Sequence, residues 1–428
     1  MLNLFKDRNF FLFWIGECVS VIGDHISIIA FPWLILKMTG SAAMTGFVLA
    51  VQGIPRAVLM LWGGAIVDRY SPRGVMVNTN IIRLLLVVVL GFLLLYDSIN
   101  VIGVFALAAA FGIADAFFYP ATTSFLPSIV EEKDLQSGNA IVQSTNQLAI
   151  IFGPMIAGLI IAGEISVAGH GDASAIQSSF ETDRIGLARA FFADAGTFAL
   201  SILTLSLVKV RSLKEDKDPS DASGNFLDEF KKAIAFIWSI PAFKLCFIAI
   251  AILNFFYMAP VFVGLPVLAD MRYANGSFVY GIIVGAYGIG ALVGGITAGM
   301  STPIAPENIA RTMFFIFAYS GLCLGLVALS ESYLLAMFFF ITAGLGDSFI
   351  WVHFMAWLQK VTPDHMMGRV MSLLMLLAIG LLPVANAVMG LLFEWNIIAS
   401  MMGASLFIII SCLITALHPD AKRVTATP

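Results

Sequence analysis

The chain has 428 residues, of which 60% are hydrophobic and 12% charged, with a net charge of −4 and a mean hydropathy of +0.94. Soluble domains carry about a quarter charged residues, so a water-facing globule is excluded and lipid is the expected solvent. Net charge says little for a lipid-facing surface, and basic residues scattered at the ends of apolar runs give nucleic acid no support as a partner.

Twelve apolar runs follow one another in the chain: Phe10–Leu36, Ala42–Val67, Val75–Tyr96, Val101–Phe125, Leu135–Ala162, Leu187–Val208, Ala242–Leu268, Phe278–Met300, Thr312–Leu329, Tyr333–Leu358, Val370–Phe393 and Ile397–Leu417. Each is close to the roughly twenty residues a helix needs to cross a bilayer. Barrel strands would be about ten residues long and alternating, so an all-α membrane protein is predicted. The short connections Lys37–Ser41 and Tyr70–Gly74 force antiparallel neighbours. With both termini placed in the cytoplasm, sixteen Lys and Arg fall on the inner side, and only Lys37, Arg184, Arg189 and Arg272 on the outer. That bias fixes the expected orientation in the cytoplasmic membrane. The first run is long and another follows at once, so no cleavable leader is expected. Cys18, Cys246, Cys323 and Cys412 all lie in apolar runs, which argues against disulfides and thiolate metal sites.

The strongest composition break is Lys209–Leu227, dense in charge, Ser and Gly. It reads as a flexible linker, and Phe226–Ile240 has the spacing of an amphipathic helix on the inner membrane face. The expected domains are therefore a six-helix bundle at 1–208, a linker at 209–240 and a second six-helix bundle at 241–428. Two such halves suit a transporter that rocks about a central site. The outer excursion Gly163–Gly186 contains His170 and Asp172, but two ligands in a Gly-rich loop read better as a solvated cap than as a metal site.

Between the second and third runs, Gly63–Gly74 reads GGAIVDRYSPRG. This resembles the cytoplasmic signature of the major facilitator superfamily, with Gly64, Asp68, Arg69 and Arg73 on the pattern's glycine, carboxylate and two bases. Ser71 replaces the second glycine, and Pro72 stands where a base is common. The resemblance implies a major facilitator fold and a gating role for these residues. GECVSVIGDHISIIAFPWLILKMTGSA, GIADAFFYPATTSFLPSIV, GNAIVQSTNQLAIIFGPMIAGLI and GRVMSLLMLLAIGLLP look like the macrolide-efflux and enterobactin-exporter branch. Lysophospholipid transporters and ferroportin-like metal exporters share some of these features. Gly153, Pro154 and Gly158 resemble the antiporter signature Gly-Pro-x-x-Gly-Gly, with Ala157 at one glycine, and this implies export rather than import. The second half lacks the acidic–basic pair, and Glu307 with Arg311, four apart, is a possible substitute.

Few charges interrupt the apolar runs. Glu17 and Asp24 stand seven apart, nearly on one helix face, and Asp115 and Asp347 fall near the middle of the fourth and tenth runs. Arg56 and Arg83 are the basic counterparts, read as structural ion pairs, with Glu17 or Asp115 as partners. A charge facing lipid is costly, so all should point inward. In the superfamily, spans one, four, seven and ten line the cavity, which implies a cavity role for Asp24, Asp115 and Asp347. Asp24 is read as the group that exchanges a proton. Asn146 with Gln143, Ser144 and Gln147, and Asn254 with Tyr257, form polar patches for substrate or for helix pairing. His25 and His353 read as packing residues.

These features point to a secondary exporter of amphipathic organic molecules, drug-like compounds or siderophores, with protons and membrane lipid as partners. No cofactor or metal site is expected, no ATPase loop is visible, and no nucleophile–base set suggests an enzyme. A lipid transporter or a metal-ion exporter of the same fold is the alternative, and a monomer is expected.

Overall fold

The computed structural model describes residues 2–163, 180–209, 234–273 and 275–422. Most of the linker, most of its amphipathic segment, and His170 and Asp172 lie outside the described residues. So do the side chains of 61–69, which include Gly64, Asp68 and Arg69.

Among the described residues the long elements are all helices, because in lipid each backbone N–H and C=O must be satisfied within its own segment. The first six long helices are α1 (Arg8–Thr39), α2 (Ala42–Arg69), α3 (Pro72–Leu95), α4 (Val101–Phe125), α5 (Leu135–Ala162) and α6 (Phe180–Leu207). They are followed by α7 (Pro241–Arg272), α8 (Gly276–Met300), α9 (Pro306–Leu329) and α10 (Tyr333–Val361). A last apolar run, Met366–Leu417, has 52 residues. At 1.5 Å per residue that is about 80 Å of helix, against roughly 30 Å of hydrocarbon. It comprises α11 (Asp364–Met375), a π turn at Leu376–Gly380 and α12 (Leu382–Leu417). The backbone is extended at Asn396 (φ −161°, ψ 106°), and Asn396 Oδ1 accepts from Ala399 N at 2.9 Å. The break divides α12 where the eleventh and twelfth apolar runs were expected to part.

Local chemistry sets several helix ends. Asp7 caps α1 by accepting from Asn9 N at 2.8 Å, and Asn100 caps α4 by accepting from Gly103 N at 2.7 Å. Ser71 accepts from Gly74 N at 3.1 Å, and Pro72 occupies the first position of α3. The two departures from the cytoplasmic signature thus make a good helix start. α6 begins at Phe180, seven residues before the expected Leu187. Its polar first turn is held by tertiary contacts: Arg184 donates to Leu94 O at 2.7 Å, satisfying the carbonyl end of α3. Arg73 returns the arrangement at the other end of the pair, donating to Leu205 O at 2.8 Å and to Ser206 O. α7 passes Pro260 through two π turns, Asn254–Met258 and Pro260–Gly264.

The described chain divides into two compact units: Met1–Lys214 with Leu265–Gly285, and Glu215–Gly264 with Ala286–Pro428. In the first unit α1 packs on α6 and α5, α2 on α4, and α3 on α6 and α4. Small residues let the backbones approach: Gly16 and Gly23 admit Thr204 and Thr197, and Gly112 lies against the Gln52 carbonyl. In the second unit α9 packs on α10 and α12. There Gly290 and Gly294 of α8 seat against the α10 backbone, and Gly344 of α10 against Tyr287.

Candidate functional site

A cavity of about 330 Å³ opens inside the first unit. α1 contributes Glu17, Asp24 and His25; α2 contributes Gln52 and Arg56; α4 contributes Phe111, Asp115, Phe118 and Tyr119; α5 contributes Asn139, Gln143 and Asn146. Apolar and aromatic walls with a few converging polar groups are the usual make-up of a small-molecule site.

The charges form a chain along one wall. Arg83 Nη1 lies 2.9 Å from Asp24 Oδ1 and 3.3 Å from Asp115 Oδ1, and Arg56 Nη1 lies 2.9 Å from Asp115 Oδ2. Arg83 is wholly buried. Its guanidinium carbon stands 4.0 Å from the centre of the Phe118 ring and 4.6 Å from that of Phe198. Arg83 Nη2 also donates to Asn80 Oδ1, whose amide donates to Ser201 Oγ at 3.0 Å. α3 and α6 therefore fix the cation, and α1 and α4 supply its counter-charges. Of the two partners expected for the arginines, Asp115 binds both, whereas Glu17 Oε2 is buried with no hydrogen-bond partner.

Asp194 is a fully buried carboxylate on α6 that the sequence reading passed over. It accepts from Ser27 Oγ and from Thr197 Oγ1 at 3.1 Å. Its signal was available: an acidic residue in an apolar run, four before Phe198 and seven before Ser201, on the face that α6 turns toward Arg83. A second missed cluster joins three helices at one end of the first unit. Lys37 Nζ lies 3.0 Å from Asp183 Oδ2 and 2.5 Å from Asp270 Oδ1.

The antiporter-like residues are packing residues by geometry. Gly153 abuts His25 of α1, and Pro154 O faces Gly281 of α8. A Cβ on Gly158 would stand 2.7 Å from Ser277 O and 3.1 Å from Phe278 Cα, and one on Gly285 would stand 2.9 Å from Ile151 O. Gly158→Val should thus lower the stability of this unit by about 1–3 kcal/mol, read as an earlier thermal unfolding midpoint. Gly196→Ala is the control, since its Cβ meets nothing within 4 Å; equal midpoints for the two variants would refute the contact.

The second unit places Asp347 elsewhere. It is buried and accepts from Ser320 Oγ at 2.7 Å and from Tyr287 OH at 3.2 Å. Tyr257 is wholly buried with its hydroxyl unpartnered, its ring 6.4 Å from that of Tyr287. Asn254 donates to Ile250 O of its own helix at 3.0 Å. His353 is held by Ser301 Oγ at 3.2 Å and Phe349 O at 3.0 Å, as a packing residue would be. Glu307 and Arg311 do not pair; the Arg311 guanidinium lies 5.7 Å from the Phe315 ring centre.

Comparison with known proteins places this geometry. The profile of the Major Facilitator Superfamily matches residues 13–383. The multidrug efflux pump Tap of Mycolicibacterium fortuitum is 25% identical over 369 residues, covering 82% of this chain and 81% of that protein. Macrolide efflux protein A of Streptococcus pyogenes is 23% identical over 367 residues, covering 85% of this chain and 84% of that protein. Among solved structures, an auto-inhibited POT family peptide transporter superposes with a TM-score of 0.70 at 12% identity, covering 98% of both chains. A bacterial homologue of the iron transporter ferroportin, in its inward-facing state, gives 0.67 at 14% identity, covering 96% of this chain and 99% of that one. At such identities the structural likeness speaks for the fold alone.

Proposed function

Because this chain belongs to the Major Facilitator Superfamily, it is a secondary transporter of small molecules and not an enzyme, and we propose that it exports amphipathic organic molecules by proton antiport. The observation that carries this reading is the cavity in the first unit, where aromatic walls meet a buried carboxylate–guanidinium chain. The efflux pumps Tap and macrolide efflux protein A, similar along most of their length, support drug-like cargo.

In this reading the proton and the Arg83 guanidinium compete for Asp24. With Asp24 ionised, Arg83 is shared between Asp24 and Asp115. With Asp24 protonated, Arg83 is left to Asp115, whose other oxygen already holds Arg56. A proton on α1 thereby changes how α3, α4 and α2 are tied together, which is the kind of two-state element that coupling requires. Asp347, held by Tyr287 and Ser320 with the Tyr257 ring beside Tyr287, is the corresponding polar centre of the second unit. Gly64, Asp68, Arg69 and Arg73 take the gating role of their motif at the cytoplasmic face, with both termini on that side. Two six-helix bundles, 1–208 and 241–428 joined by 209–240, are the moving bodies.

The test is transport into vesicles carrying the purified protein under an imposed pH gradient, offered a macrolide, a catechol siderophore, a lysophospholipid and a divalent metal in turn. Gradient-dependent uptake of the macrolide or the siderophore is expected. Uptake of only the lysophospholipid or only the metal would replace the reading with that cargo class.

A further inference from the structure

We propose that Asp194 is the proton store for Asp24: its carboxyl holds a proton in the arrangement seen here and passes it to Asp24 as Arg83 moves the other way. The proposal rests on proton antiport through Asp24. Asp194 is wholly buried and is not among the residues that line the cavity. Among the described residues it enters no ion pair, and the side chains against its oxygens are the hydroxyls of Ser27 and Thr197. Ionised, it would be a buried charge with no counter-ion in contact, which burial penalises heavily.

Thr197 shows where the hydrogen sits. Its hydroxyl has one hydrogen, and the nearer acceptor is the Asp194 carbonyl oxygen at 2.7 Å, an ordinary O–H···O distance. The remaining contact, Oγ1 to Oδ1 at 3.1 Å, is satisfied when Asp194 carries the hydrogen and Thr197 Oγ1 accepts it. Ser27 Oγ lies against the other oxygen, and a hydroxyl can serve an acid or a carboxylate. The pocket therefore fits the carboxyl before and after it gives up its proton.

α6 packs on α1, α3 and α5, and α5 has no titratable residue. α3 brings Arg83, since Arg73 is tied to Leu205 O at the far end. α1 brings Asp24, with Glu17 two turns back, His25 against Gly153 of α5 and Lys37 tied to Asp183. On α6 itself the nearest charge is the exposed Arg189, five residues away. Asp194 Oδ1 fills the space that a Cβ on Gly23 would take, next to Asp24 in the chain. The Arg83 guanidinium lies 4.6 Å from the Phe198 ring, one turn of α6 beyond Asp194, and its Nε–H is buried without an acceptor. The cation thus stands by both carboxylates with a donor to spare. In the step, the O–H bond at Asp194 breaks, one forms at Asp24, and Arg83 exchanges the neutral Asp24 for the ionised Asp194. The summed charge of the three groups is unchanged, and Asp24, which lines the cavity, releases the proton there.

The experiment compares infrared spectra of the full chain in nanodiscs. The C=O stretch of a neutral carboxylic acid should be present in wild type, smaller by one group in Asp194→Asn, and moved in Thr197→Val, which removes the hydroxyl acceptor. An acid band of the same size in Asp194→Asn, or unmoved in Thr197→Val, overturns the proposal. The second comparison keeps the carboxyl and decides the matter if Asp194→Asn does not fold. Gradient-driven uptake is then measured in vesicles with the four compounds offered above. For the compound that wild type accumulates, Asp194→Asn should slow uptake about a hundredfold, the low end of what a positioned proton-transfer group supplies. Asp194→Glu should recover part of that loss. A purely structural role predicts the reverse order, because asparagine keeps the size and glutamate does not. Asp194→Asn at the wild-type rate, or faster than a folded Asp194→Glu, overturns the proposal alone. Wild type that accumulates none of the four under a gradient removes the antiport reading and the proposal with it.

Discussion

Arg83→Met is expected to destabilise the first unit by about 3–5 kcal/mol, the usual cost of removing one member of a buried ion cluster. Methionine fills much of the same volume between Phe118 and Phe198, so lost packing contributes little. What remains is electrostatic: Asp24 loses its only ion-pair partner among the described residues, Asp115 keeps Arg56 alone, and the Asn80 side-chain oxygen loses its donor. The check is thermal unfolding in detergent, followed by a thiol-reactive fluorophore. Of the native cysteines, Cys18, half-buried on α1, reports on this unit, and Cys246, Cys323 and Cys412, buried in the second unit, are the internal comparison. Adding Asp24→Asn to Arg83→Met should recover part of the loss, because the stranded carboxylate is then neutral. A double variant no better than the single one would show that Arg83 stabilises by packing and not by charge.

Asp24→Asn is expected to abolish uphill, gradient-driven transport while leaving a folded protein. The amide keeps the size of the side chain, and its oxygen still accepts from Arg83 Nη1, as Asp24 Oδ1 does at 2.9 Å. It cannot take up or release a proton, so Arg83 is held in one arrangement throughout the cycle. Vesicles separate the two consequences: the variant should retain equilibrium binding of cargo and lose accumulation driven by the pH gradient. Accumulation at the wild-type rate would make Asp24 a structural counter-ion, and the competition between proton and guanidinium would have to be abandoned.

Much of this protein was legible in one dimension. A helix in lipid satisfies its own backbone, so length and hydropathy alone mark a span, and the membrane-spanning, all-helical character follows from the apolar runs. Runs bounded by local chemistry, such as α3 behind Ser71 and Pro72 or α4 behind Asn100, also ended close to where the sequence put them. The start of α6 did not, because its first turn is polar and depends on Lys37 and the α3 carbonyls, both distant in the chain.

The site divides along the same line. That Glu17, Asp24, Asp115, Arg56 and Arg83 must face inward follows from the cost of a charge in lipid, and that holds whatever the fold. Which carboxylate meets which guanidinium does not follow, because helix spacing gives a residue's face and depth but not the helix across from it. Only the packing of α3 between α4 and α6, with Phe118 and Phe198 against Arg83, gives Asp24 and Asp115 the cation and leaves Glu17 Oε2 without a partner. The sequence by itself determined a membrane-embedded chain with a few inward charges; the tertiary structure decided their pairing, because ion pairs depend on angstrom-scale distances that only helix packing fixes.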